Sequence, residues 1–578
     1  MRRTSRAIAA VGAVAALALT GCSSGGGQSG QSGDAGSSGS ATALAASDVN
    51  EQPRDALQQG GTLRMTITSM PTNWNMLETD GNTVDNKDIY EFLLSQTANW
   101  IFAADGTYEP NTNYLESYDV QDATADKGQV VTLNLNPDAK WNSGRSITWE
   151  DYESQWKACN GENEDFLCAS TDGFNQIASV EQGDSEFQVV VTFKGAYPDW
   201  AGTLSSPTAK EVTADADTFN EGWQEYNNDW TAGPYIVDSV DDAQQLITLV
   251  PNPQWWGDKP MLDTVTFRAL DASAQGNAFA NSEIDVLKGI INGDQYAQAA
   301  TRSDAEVRRA GGLQWRHYTF NSESGVLQDV KVRQAIVKGI DREAVANSDL
   351  AGIPDIVPSE LMLGNHFFMP GQEGYVDNSA DYAYDPTKAG EELDALGWTL
   401  NETSGYREKD GDTLEFDYAM MADVPTSKNE GELLQAQLKE IGVKVDITNV
   451  ESDSFFSDTM PNGKFGVSTF AWQGTQFPMQ NVGQIYGCDA SLAQNGGSNY
   501  SRYCDPTVKE LIPQIDTEED HDTRVDLANQ ADKAIWDAVE TLPIYRRLEL
   551  TAVPKNLANY GAFGMQTTRA EDIGYVAE

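Results

Sequence analysis

Few residues in this chain are placed for covalent or metal chemistry. Cys159 and Cys168 lie close in sequence, as do Cys488 and Cys504. Apart from Cys22 these are the only cysteines, and an even count in an exported chain points to two disulfides. Three pairings are formally possible, and the short separations favour Cys159–Cys168 and Cys488–Cys504, each closing a small polar loop. A zinc site is the rival, with only His317, His366 and His521 to draw on and no C-x-x-C pair. Serine hydrolase chemistry finds one superficial match, Ser154-x-x-Lys157 with Tyr226-x-Asn228. No K-T-G follows it, and H-E-x-x-H and G-x-x-x-x-G-K-[ST] are missing from the chain. The expectation is a non-enzyme with no catalytic residue, no metal and no cofactor.

These residues ride on elements that the hydrophobic pattern defines. Thr62 to Thr68 alternates with period two, as do Val130 to Leu135, Gln188 to Phe193 and Gln245 to Val250, which predicts strands. Thr148 with Asp151 three residues on predicts a capped helix to about Cys159, with Ser154 midway along it. Asp329 to Ala346 reads as a single helix with Val332, Ala335, Ile336 and Ile340 on one face. Arg333 and Arg342 on it are expected to pair with its acids. Asp385-Pro386 opens a further helix that stops at Gly397, and Glu430 to Glu440 another that ends at Gly442 before a strand from Val443 to Ile447. Helices interspersed with strands make a mixed α/β protein.

The 578 residues carry a formal charge of −50. That excludes nucleic acid as a partner, because phosphate binding needs clustered Lys and Arg. It equally excludes a basic patch on anionic lipid. Arg2, Arg3 and Arg6 precede an apolar run from Ala7 to Leu19, too short to span a bilayer and flanked like a signal peptide. The run ends in Leu19-Thr20-Gly21-Cys22, which resembles a bacterial lipobox, so Cys22 is expected to carry lipid and residues 1–21 to be removed. Gly and Ser dominate 23–41, the composition of a flexible tether. The chain is therefore expected at the outer face of the cytoplasmic membrane, touching it only through the lipid.

Several segments together resemble the family 5 extracellular solute-binding proteins of ABC transporters, which include oligopeptide- and dipeptide-binding proteins. They are Gly60-Gly-Thr-Leu-Arg64 with Trp74-Asn75, Lys140 to Asp151, Thr231 to Tyr235, Asn252 to Pro260, Ser282 to Asp285, Asp329 to Ala335 with Ile340 to Arg342, Tyr384 to Ala389 with Leu396 to Trp398, and Leu542 to Tyr545. They follow family order over roughly 60–570. The resemblance implies a two-lobe, type II periplasmic-binding-protein-like α/β fold with mixed sheets, flanking helices and an extra inserted subdomain. Carried over, lobe I spans 59–77, 199–288 and 540–578, the subdomain 78–198 and lobe II 289–539, after a tether over 22–58.

The same resemblance implies the site. In peptide-binding relatives the loop after the first strand contacts ligand, which here points to Met70, Pro71 and Trp74. A second contact segment matches Ala471, Trp472, Gln473, Thr475 and Gln476, and Tyr545 completes the set. Thr475 stands where relatives carry the acid that meets a peptide's α-amino group. Either Asp423 or Asp489 substitutes for it, or the peptide is held by its main chain, or the solute is uncharged there, such as a glycan stacked on Trp74 and Trp472. The expected function is capture of a small solute, a short peptide first, by a monomer that delivers it to permease subunits. A non-peptide polar solute is the alternative, followed by a sensing or adhesion lipoprotein or a serine hydrolase.

Overall fold

The computed structural model describes residues 44–422, 424–480, 482–488 and 498–577. Cys22, the signal segment, the whole Gly/Ser stretch, Asp423 and Asp489 lie outside the described residues. Among the described residues no helix is long and apolar enough to cross a membrane.

Two large apolar cores organise the body. The first gathers side chains from 63–286 and again from 553–573, and the second those from 278–552. The first contains a four-stranded sheet in the order Thr62–Ile67, Thr264–Ala269, Leu246–Pro251, Tyr235–Asp241. Its outer pair is parallel, with Leu63 opposite Val265, while the rest is antiparallel. An inserted antiparallel sheet, ordered Leu115–Gln121, Val130–Leu135, Gln188–Phe193, Ile177–Gln182, shares this core. Period-two alternation buries Val131, Leu133, Val189 and Val191 completely, each burial contributing roughly 1.5–3 kcal/mol.

The second core surrounds a five-stranded mixed sheet: Lys444–Val450, Glu415–Met421, Val467–Gln473, Ala305–Phe320, Thr541–Pro554. The last two are long antiparallel strands. Val286 belongs to the first core and Leu287 to the second; on the return, Ala552 belongs to the second and Val553 to the first. The two crossings are bonded to each other, Leu287 N–H to Ala552 O at 3.0 Å and Ala552 N–H to Leu287 O at 2.9 Å. A smaller apolar cluster joins helices Pro506–Thr517 and His521–Ala538. The chain already pairs with the body at Asp48, whose N–H meets Ala562 O at 2.7 Å.

Four predicted strands form within a residue of their expected ends, and the one expected over Val443 to Ile447 runs on to Val450. The Trp149–Cys159 helix starts as expected, Asp151 accepting the Thr148 N–H at 2.9 Å. The single helix expected over 329–346 is two, Val330–Val337 and Arg342–Asp349. Asp341 breaks it by capping the second, accepting the Ala344 N–H at 3.0 Å. Arg333 and Arg342 do not pair with acids. Arg333 donates to Ala538 O and Leu327 O, and Arg342 to Leu363 O and Pro543 O, so both guanidinium groups satisfy loose carbonyls of the fold. The helix expected from Glu430 begins earlier, at Pro425, a residue suited to a first helical turn.

Both expected disulfides are present, Cys159–Cys168 and Cys488–Cys504. Ser154 and Lys157 face different partners: the Ser154 hydroxyl meets Thr213 Oγ1 at 2.6 Å and Lys157 Nζ meets Glu153 at 2.6 Å. No Ser–Lys dyad forms. Among the described residues no cluster of three or more His, Cys, Asp or Glu could hold a metal.

Candidate functional site

The segment after strand Val467–Gln473 leaves the second lobe and lands on the first. Thr475 starts it with a tight turn, its hydroxyl accepting the Phe477 N–H at 3.1 Å and donating to Phe477 O at 3.0 Å. The turn sends the Phe477 ring against Phe102 and Tyr108, edge to face, with centroids 5.9 and 5.7 Å away. Two cavities flank this segment and share Gln476 and Phe477. One has a volume of about 490 Å³ and the other about 620 Å³.

The first cavity is walled by Asn75, Gln155, Thr203 and Ser205 from one side and by Thr475 and Gln480 from the other. Neutral amides and hydroxyls dominate this wall. Among its described residues, Asp172 is the only carboxylate and there is no Lys, Arg or His. The second cavity is acidic, with Asp105, Asp122, Asp199, Glu373, Glu518 and Glu519 facing Arg524 and His521.

Arg524, on helix His521–Ala538, crosses between the lobes to Asp199. The pair is bidentate, Nη1 to Oδ1 at 2.8 Å with a second contact beside it, and both side chains are nearly dry. Arg524 also donates to Ile515 O at 2.6 Å, which fixes its fork. Nearby, the Ala123 N–H donates to Glu519 at 2.8 Å. These contacts hold the lobes together around the two cavities.

Of the expected contact residues, Thr475 and Gln476 line the first cavity. Trp74 lines neither cavity. It is 2% exposed, packs edge-on to Tyr226 at 4.6 Å and is bonded through its backbone to Trp223 O and the Tyr90 hydroxyl. Met70 and Pro71 are half-buried at the end of the first strand, outside both cavities. Ala471 and Trp472 also lie outside them; the Trp472 ring stacks between His317 at 5.8 Å and Tyr500 at 6.0 Å. His317 is wholly buried, and burial followed by the charge of Arg316 holds its pKa well below the ordinary histidine range. Gln473 is exposed and bonds only Gly474 O, at 3.2 Å. Tyr545 is in the second core, its hydroxyl donating to Asp349 at 3.1 Å. Burial pushes the Asp349 carboxyl up to about 7, helped by the charge of Glu430, which the Arg316 guanidinium pairs at 2.8 Å.

Sequence reasoning did not find Asp172, Trp223, Gln155 or the Arg524–Asp199 pair. Asp172 and Trp223 sit in irregular segments without periodicity, and the ion pair joins residues more than three hundred apart.

Two lobes closing on a cleft around paired crossing strands define a solute-binding protein. The model of the bacterial extracellular solute-binding proteins, family 5 (middle region), matches residues 109–491, and the chain belongs to that family. It is 36% identical over 535 residues to the oligopeptide-binding protein OppA of Mycobacterium tuberculosis, covering 92% of this chain and 87% of that protein. Among solved structures it is similar to a periplasmic EDTA-binding protein, EppA (TM-score 0.81, 24% identity, covering 93% of this chain and all of that one). It also resembles the oligopeptide-binding protein AppA of Bacillus subtilis in complex with a nonapeptide (TM-score 0.73, 20% identity, covering 90% and 100%). At these identities the two structures establish the fold.

Proposed function

We propose that this chain captures peptides between its lobes and hands them to the permease of an ABC transporter. The observation that carries this reading is the wall of the first cavity. Neutral amides and hydroxyls there suit the hydrogen-bonding groups of a peptide main chain whatever its side chains, since a closed cleft leaves those groups no water. The relatedness to an oligopeptide-binding protein over nearly the whole chain supports it. In this reading lobe I comprises 59–77, 199–288 and 540–578, the subdomain 78–198 and lobe II 289–539. The bonded crossings at Leu287 and Ala552 supply the hinge. The protein is a monomer, anchored outside the cytoplasmic membrane by lipid on Cys22 after removal of 1–21. Its tether runs over 22–58, its final stretch paired to the body from Asp48 onward. Thr475 and Gln476 act at the cleft walls, while Met70, Pro71, Trp74, Ala471, Trp472, Gln473 and Tyr545 line neither cavity.

A non-peptide polar solute is the second reading, favoured by Thr475 in the place of the acid. A chelate like EDTA suits the cleft poorly, because Arg524 is already committed to Asp199. A thermal-shift screen of short peptides against oligosaccharides separates the readings. A ligand at one hundred times its Kd stabilises by about 2.7 kcal/mol. Peptides are expected to raise the melting temperature and oligosaccharides to leave it unchanged; the reverse pattern rejects the peptide reading.

A further inference from the structure

Residues 44–58 precede the strand Thr62–Ile67 and reach both cores. Leu44 packs on the second core, and Leu57 packs with Met261 and Ala558, sequence neighbours of the first-core residues Leu262 and Leu557. Between these ends the segment is bonded on two sides. From the second-core strand Ala305–Phe320, the Gly311 N–H donates to Ala45 O at 3.3 Å and the Arg309 N–H to Asp48 Oδ2 at 3.1 Å. From the stretch that returns to the first core after Ala552, the Ala562 N–H donates to Asp48 O at 2.9 Å and the Tyr560 N–H to Val49 O at 3.1 Å. The Asp48 N–H donates back to Ala562 O at 2.7 Å. Farther along, the Arg54 guanidinium pairs with Asp572, and Leu57 and Gln58 pair antiparallel with Val576 and Tyr575.

The surface under this segment is shaped to admit it. A Cβ on Gly561 would stand 2.3 Å from Asp48 O, and one on Gly564, where φ is +61°, 2.2 Å from Ala46 O. A side chain at either position would push the segment off. Arg308, on the second-core strand, is 1% exposed. Its guanidinium donates to Val49 O at 3.3 Å, to Tyr560 O at 2.5 Å and to Leu557 O at 2.7 Å, and it meets Glu306 at 3.0 Å. A dry guanidinium is costly unless its donors are met, and here the segment and the first-core stretch meet them together. Arg308 stands opposite Thr551, one residue from the crossing at Ala552.

We propose that residues 44–58 act as a strap across the hinge, a third link between the lobes that limits how far they swing apart. The two crossings at Leu287 and Ala552 are bonded side by side, so by themselves they leave rotation about one narrow axis. A segment fastened both to the second-core strand and to the first-core stretch beyond the crossing resists that rotation. The strap works whichever solute the cleft takes. In the lipid-anchored form it is also the end of the tether, so the anchor meets the body at its hinge.

Interlobe distances between spin labels on Val240→Cys and Leu400→Cys, in the solute-free whole chain, test the proposal. Both positions are exposed, one on the strand Tyr235–Asp241 of the first lobe and the other on the strand Thr399–Asn401 of the second. Asp48→Pro removes the N–H bond to Ala562 O and the carboxylate bond to the Arg309 N–H. Gly561→Ala raises a methyl group against Asp48 O from the seat of the strap. Each is expected to widen the distance distribution at least about twofold, since a lost restraint spreads an ensemble. The double variant is expected to be no wider than the broader single one, because a strap already lifted is not lifted again, whereas independent contacts add. A distribution of unchanged width in either folded variant overturns the proposal and leaves the segment a packing element, whatever happens to the melting temperature. Additive widening overturns it too. If Asp48→Pro does not fold, Gly561→Ala decides alone by the same comparison of widths.

Discussion

Glu540 shows what single residues contribute apart from ligand. It is 1% exposed; one carboxyl oxygen accepts from Ser501 Oγ at 2.9 Å and the other has no partner. Burial pushes its pKa from 4.5 up to about 8. The folded chain then holds this proton more tightly than the unfolded one. The associated stability is complete below about pH 4.5 and is lost as pH rises to about 8. Glu540→Gln keeps the shape and removes the titration. Unfolding free energy measured between pH 4.5 and 8 is expected to fall more for wild type than for the variant, by on the order of 4 kcal/mol at pH 8. Parallel curves would contradict the assignment. Residues of this kind are hard to read in a sequence. Thr475 was legible as a departure from a motif, but its turn to Phe477 was not. Asp172 carries no local signal, because only the folded loop brings it to Thr203 and the cavity.

At the scale of elements, local rules did most of the work. Alternation fixed the strands, and Asp151, Asp385 and Gly397 marked helix ends that the structure keeps. The break at Asp341 was missed because Ile340 continues the apolar stripe of the preceding helix, while the cap that ends it is a polar contact hidden in that stripe. Contacts between elements were beyond pattern altogether. The Arg524–Asp199 pair is the clearest case: helix His521–Ala538 and the turn at Trp200 are more than three hundred residues apart and meet only in the folded chain. Removing one partner of such a buried pair destabilises the arrangement by roughly 3–5 kcal/mol. Asp199→Asn is therefore expected to open the unliganded protein, enlarge its radius of gyration in small-angle scattering and weaken solute affinity at least about tenfold. An unchanged scattering profile with unchanged affinity would show that the pair does not govern closure.

For the molecule as a whole, the −50 charge acquires a local meaning. The second cavity between the lobes concentrates carboxylates, and among the described residues of both cavities the one arginine, Arg524, is neutralised by Asp199. A cleft of this character attracts cations from solution and repels polyanions. The fold supplies the rest: two cores, one hinge made of bonded crossings, and a segment from one lobe seated on the other. These features together predict a binder that closes over a solute with a hydrogen-bonding main chain. Native mass spectrometry of the protein purified without refolding measures this most directly. A set of adducts that fragment as peptides is the predicted result. A single adduct that fragments as a sugar or a metal chelate would contradict it.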